Sequence, residues 1–147
     1  MKKWIAVLIG AWLGLQLSAG YLFAPLLFQH LDKMQAGNIA GISFNITSYI
    51  GIVVWLLAYI ANRKNTRHNY GRSFSGKAIM LLLLLIIANQ FLVTPVIEAY
   101  KTNTSNWLLS LVGGSFGLWH GTSSIIYMAC SLLALILVFR LTALEER

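Results

Sequence analysis

Four apolar runs, each close to the length that crosses a bilayer, divide this chain at residues 4–28, 39–61, 78–97 and 116–139. A hydrocarbon core of ~30 Å takes about 20 helical residues to cross, and lipid offers no partner to a free peptide group, so such runs must be helices. Joined by short connectors, they predict an all-α, polytopic membrane four-helix bundle with residues 1–147 in a single membrane domain. Only 10% of the residues are charged and 58% are hydrophobic, whereas a soluble domain carries roughly 25% charged residues.

The first run follows Lys2 and Lys3 as a secretory signal would, but it continues through Tyr21, Leu22 and Phe23 and is expected to be retained as a span. Ala6, Gly10, Gly14 and Ser18 recur every fourth residue, a spacing of small residues that lets helix backbones approach closely. Gly10 and Gly14, with Gly117 and Gly121 in the last run, are therefore expected to pack helices, within the bundle or between protomers of a homo-oligomer. Residues 29–38 read as a polar connector, and residues 62–77, rich in Arg and Lys with no acid, as an exposed basic loop. Pro95 is expected to break or kink the far end of the third run, since it lacks an N–H and crowds the turn before it. The other loop, residues 98–115, contains Trp107-Leu108-Leu109-Ser110-Leu111-Val112, too short to span and expected to lie in the interface.

The net charge of +7 is distributed along the chain in a way that argues against nucleic acid as a partner. With residue 1 on the cytoplasmic side, that side holds nine cations (Lys2, Lys3, Arg63, Lys64, Arg67, Arg72, Lys77, Arg140, Arg147), against Lys33 and Lys101 opposite. This positive-inside bias predicts both termini in the cytoplasm, with loop 62–77 there and loop 98–115 outside. His68, in the basic loop, is expected to be solvated. The one cysteine, Cys130, forms no intramolecular disulfide and reads as a packing residue.

Within the fourth run, His120, Ser124, Tyr127 and Ser131 fall at i, i+4, i+7 and i+11, one stripe along a helix. An ionisable residue inside a span is expected to face protein or water rather than acyl chains. At ~1.5 Å of rise per residue, Gln16 lies ~18 Å and Asn89 ~16 Å above the cytoplasmic edge, and Asn45 ~9 Å below the outer one. His120, Ser123 and Ser124 fall at a similar outer level. These six residues are expected to line a polar pocket in the outer half, or Gln16, Asn45, Asn89 and His120 to bond one another as a structural network. His30, Asp32 and Glu98 would form its outer rim.

Phe116-x-x-Trp119-His120-Gly121-x-Ser123-Ser124 resembles the F-x-x-aromatic-H-G-x-S-S signature of the family containing eukaryotic transmembrane protein 205, whose bacterial members are labelled domain of unknown function 4149. Gly10-Ala11-Trp12, residues 23–31 and residues 36–44 look like that family's first two spans, and Asn89 followed by Pro95 matches its N-x5-P spacing. Tyr127 departs from the asparagine that members often carry soon after the serines. The resemblance implies a small multi-span protein, here of the bacterial inner membrane, and supplies no activity.

The expected function is small-molecule transport, or the handling of a metal ion or small ligand, in that pocket. Neutral imidazole at His120 is a ligand for copper or zinc, with Glu98, Asp32 or His30 the further donors, although no close pair of ligands appears in the sequence. The alternative is a non-catalytic accessory or scaffold protein that binds lipid or partner helices through its glycines. Hydrolase chemistry is disfavoured: Ser123 and Ser124 neighbour His120 on one helix, a spacing that does not set Oγ against Nε, and no carboxylate within the membrane orients the ring. Haem ligation by His120 would need His30 at the same depth. No cofactor is required by the sequence, and the lipid bilayer is the partner it demands.

Overall fold

A computed structural model describes residues 3–64 and 70–143, with side chains from 4 to 63 and from 74 to 140. Lys2, Arg67, His68 and Arg147, part of the basic-side reading, lie outside the described residues. Among the described residues there are helices and turns and no strand. They comprise α1 (Lys3–Leu17), a first π-turn (Ser18–Phe23), α2 (Ala24–His30), α3 (Lys33–Lys64), α4 (Tyr70–Ala88), a second π-turn (Asn89–Val93), α5 (Thr94–Thr102), α6 (Trp107–Val112) and α7 (Phe116–Ala143). Four stretches are long and apolar enough to cross a membrane: Trp4–His30, Lys33–Arg63, Phe74–Thr102 and Phe116–Arg140.

Two connectors are shorter than their polarity suggests. Asp32 Oδ1 accepts from the backbone N–H groups of Met34 and Gln35, both at 3.0 Å, so α3 is capped at once and only Leu31 and Asp32 remain of the expected connector 29–38. In the expected loop 62–77, residues 62–64 finish α3 and residues 70–77 already belong to α4. The remaining connector is built from caps. Asn103 adopts φ 52°, Asn106 Oδ1 accepts from Leu108 N at 2.9 Å to start α6, and Gly113 and Gly114 turn the chain at φ 69° and 103°. Those angles suit glycine, which has no Cβ to clash.

The spans stand in a square: α1 packs on α3 and α7, and α4 packs on the same two. Below, where α1 begins and α7 ends, the square is filled by one cluster. Trp12 and Trp55, 2% and 0% exposed, meet edge to face with ring centroids 5.7 Å apart. Ile9, Ile79, Leu82 and Leu137 close around them. Trp12 Nε1 donates to the Thr47 carbonyl at 2.8 Å, and Gly51 is what lets the indole lie flat on α3, because an added Cβ there would sit 2.5 Å from Nε1. A second cluster, Val93, Val96, Ile97 and Trp119, lies above.

Between the clusters both diagonal spans widen. Ala24 N–H donates to Ala19 O and Thr94 N–H to Asn89 O, each five residues back, and a proline follows in each case, Pro25 and Pro95. The proline cannot make the next helical bond, and the wider turn relieves its ring against the carbonyl four residues earlier. Pro95 therefore neither breaks nor ends the third span, which runs on to Thr102. Backbone carbonyls at such a turn can be met from a neighbouring helix. Tyr127 OH donates to Gln16 O at 2.5 Å, where α1 gives way to the π-turn. Tyr127→Phe keeps the ring and removes this donor, so a loss of ~1 kcal/mol in denaturant unfolding is expected. An unchanged midpoint would mean that the carbonyl finds another donor.

Candidate ligand cavity

The upper half of the bundle encloses a cavity of about 760 Å³ between its widened spans. Its walls are apolar: Phe28, Met34, Phe44, Ile97, Phe116 and Met128. Polar side chains come from all four spans: Tyr21 from the first π-turn, Asn45 and Ser48 on α3, Asn89 and Gln90 from the second π-turn, and His120, Ser123, Ser124 and Tyr127 on α7. Apolar walls carrying a few convergent polar groups are the usual make-up of a small-molecule site, for which 300–1,000 Å³ is the general range.

The π-turn rotates both Asn89 and Gln90 toward the interior. Gln90 is 7% exposed and its Nε2 donates to Asn45 Oδ1 at 3.0 Å, joining the second and third spans across the cavity. Asn89 Oδ1 is buried and has no donor from the protein. A buried acceptor in this position costs free energy unless something that enters the cavity supplies a proton to it.

Of the six residues expected to line the pocket, Asn45, Asn89, His120, Ser123 and Ser124 do so and Gln16 does not. Gln16 is buried beneath, its Nε2 donating to Ser131 Oγ at 3.4 Å. The four-residue network of Gln16, Asn45, Asn89 and His120 is thus replaced by two separate pairs, Asn45–Gln90 and Gln16–Ser131. The stripe on α7 does run into the bundle, from exposed His120 to buried Ser131. Its hydroxyls mostly serve their own helix: Ser124 Oγ donates to His120 O and Ser131 Oγ to Tyr127 O, each at 3.0 Å. His120 is at the edge of the cavity rather than its centre, exposed and stacked on Phe116 with 7° between the ring planes. Ser124 Oγ therefore bonds a backbone carbonyl of its own helix rather than the imidazole.

The rim also differs from expectation. Glu98 lies on it, held by Lys101 Nζ at 2.9 Å, and the same ammonium donates to Gly37 O at 3.4 Å. Lys33 completes the rim. Asp32 is spent on its cap, and neither it nor His30 lines the cavity. Sequence reasoning missed Lys101, although its position one turn after Glu98 is the spacing of a helical ion pair. It also missed Gln90, which has the same polarity as its neighbour Asn89. Among the described residues no three His, Cys, Asp or Glu side chains are grouped to hold a metal ion, and Cys130 is buried in the lower cluster.

The glycine ridge faces away from the bundle. An added Cβ at Gly10, Gly14 or Gly121 would meet nothing within 4 Å, and one at Gly117 only Ser115 Oγ at 3.9 Å. The close approaches are instead at Gly51, under Trp12, and Gly20, under Tyr127.

Residues 7–106 match a domain of unknown function (DUF4149). An uncharacterized protein of Aquifex aeolicus (strain VF5) is 29% identical over 119 residues, covering 80% of this chain and 86% of that protein. No solved structure matches. The matched residues take in the first three spans, the Asn45–Gln90 pair and the Glu98–Lys101 pair, and end before residues 116–124.

Proposed function

The chain belongs to the family described as a domain of unknown function (DUF4149), and because that description carries no activity, we propose from the site itself that it is a non-catalytic membrane protein handling or transporting a small organic ligand. The observation that carries the proposal is the cavity of about 760 Å³, apolar in its walls and polar at Asn45, Asn89, Gln90 and Ser123. A purely structural network would leave no such space and no unpartnered Asn89 Oδ1. An organic ligand suits these donors and acceptors better than a metal ion, because among the described residues no three His, Cys, Asp or Glu side chains are grouped to hold one. The likeness of residues 116–124 to the signature of the transmembrane protein 205 family supports a shared membrane role.

The placement proposed is the bacterial inner membrane with both termini inside, on the strength of the cation bias. The upper half then faces the extracytoplasmic leaflet. In a Cys130→Ala background, a membrane-impermeant maleimide on intact cells is expected to label Ser105→Cys and to label Arg63→Cys only after permeabilisation. The reverse pattern would invert the orientation.

Ligand handling is tested by extracting the purified protein with organic solvent and weighing what comes out. Wild-type protein is expected to release a defined compound, and Ser123→Trp, which fills the cavity, roughly tenfold less of it. Equal amounts from both would remove the ligand reading.

A further inference from the structure

We propose that the ligand is a lipid with an anionic headgroup, taken in sideways from the membrane between the first and fourth spans; this rests on the ligand reading above. The seam between those spans closes below, where α1 packs on α7. Above, the close packing is instead of α2 on α3 and of α5 on α7. The cavity residues on the two sides of this seam are exposed: Tyr21 53% on the first span, and on the fourth Met128 48% with Ser124 one turn above it. Tyr21 lies ~14 Å below the end of α2 and Met128 ~18 Å below the start of α7, depths that belong to hydrocarbon. An opening at that depth admits a molecule dissolved in lipid, not one arriving from water. The Tyr21 and Tyr127 rings, 6.4 Å apart, form its lower sill.

The charge at the rim selects the headgroup. Lys33 starts α3 and Lys101 lies in the last turn of α5, so both stand at headgroup level beside the cavity; among the lining residues Glu98 alone opposes them, since Asp32, next to Lys33, is turned to its cap and does not line the space. Two ammonium groups against one carboxylate leave one net positive charge facing the space. A basic side chain near a membrane surface favours an anionic lipid by roughly fivefold. The acyl chains would lie along the apolar walls and leave through the seam.

Native mass spectrometry with dioleoylphosphatidylglycerol, dioleoylphosphatidylcholine and free glycerol 3-phosphate tests the proposal. The anionic lipid is expected to bind roughly five- to tenfold more tightly than the zwitterionic one. The preference should vanish in Lys33→Gln/Lys101→Gln and grow in Glu98→Gln, which a merely structural role for the rim would not produce. Ser124→Trp, whose native hydroxyl bonds only its own helix, should reduce binding of both lipids, with Met128→Trp as the second plug if that variant misfolds. Equal affinity for the two lipids would overturn the anionic headgroup while leaving a retained compound in Ser123-intact protein as support for the cavity. Binding of glycerol 3-phosphate as tight as that of the lipid, or full lipid binding in both plugged variants, would overturn the sideways route.

Discussion

Gly51→Leu is expected to abolish the folded bundle in mild detergent. Any Cβ at this position falls 2.5 Å from Trp12 Nε1 and 2.8 Å from Cε2, and the indole is enclosed on its other sides by Trp55 and the lower cluster, so it cannot slide away. The leucine has to expel Trp12, losing the bond to the Thr47 carbonyl with it. Removing a buried tryptophan costs ~3–5 kcal/mol, which is a large part of the stability of a chain this size. Gly51→Ala, with one methyl to place, should cost ~1–3 kcal/mol by overpacking. The measurement is the unfolding midpoint in denaturant with size-exclusion homogeneity. Gly14→Leu is the contrast, because nothing lies within 4 Å of its Cβ position. It should leave the midpoint unchanged, and an altered oligomer size in Gly14→Leu would favour the accessory or scaffold reading of the exposed ridge. A tolerated Gly51→Leu would mean that the Trp12–Trp55 packing is not what closes the lower half.

Trp119→Ala should loosen the upper half while sparing the lower. The indole is 7% exposed among Val93, Val96 and Ile97, with Leu108 and Leu109 of α6 packed against the same cluster. Its Nε1 donates to Gly113 O at 3.0 Å, fastening the turn that leads into α7. Truncation removes packing worth ~3–5 kcal/mol. The buried residues of the upper cluster are distinct from those of the lower one, with half-buried Ile126 packed against both, so the loss is expected as local opening: faster amide exchange across Trp107–Val112, slow exchange around Trp12 and Leu82, and weaker ligand retention. Trp119→Phe keeps most of the area and gives up the hydrogen bond, a loss of ~1 kcal/mol. Uniform acceleration over all four spans would show that the two clusters unfold as one unit.

The sequence made the spans legible because hydrocarbon length and backbone satisfaction leave a chain of this composition little choice. It also exposed the α7 stripe, since polar residues at helical spacing stand out against leucine and isoleucine. What it hid was rotation. Helices that are apolar nearly all round have no polar face to show which way they turn, so Gly10 and Gly51 looked alike in one dimension although one faces outward and the other lies under an indole. For the same reason Gln16, expected in the pocket, lies beneath it, while Gln90 lines it. The π-turns shift every later residue around its axis, and only Pro95, beside polar residues, drew attention, while Pro25 stood in an apolar run and passed unread. Connector length was overestimated because Asp32 and Asn106 look like loop polarity and act as caps.

The packed tryptophans under the cavity have a bearing on what the protein could do with a ligand of the proposed kind. A well with a sealed floor accepts and releases on one leaflet, and that exchange needs no change in how the four spans are arranged. Delivery to the opposite leaflet would require Trp12 and Trp55 to part, and with them Ile79, Leu82 and Leu137. Custody of a molecule is thus available to the fold as it stands; crossing demands a second shape, held open against the burial that keeps the base shut.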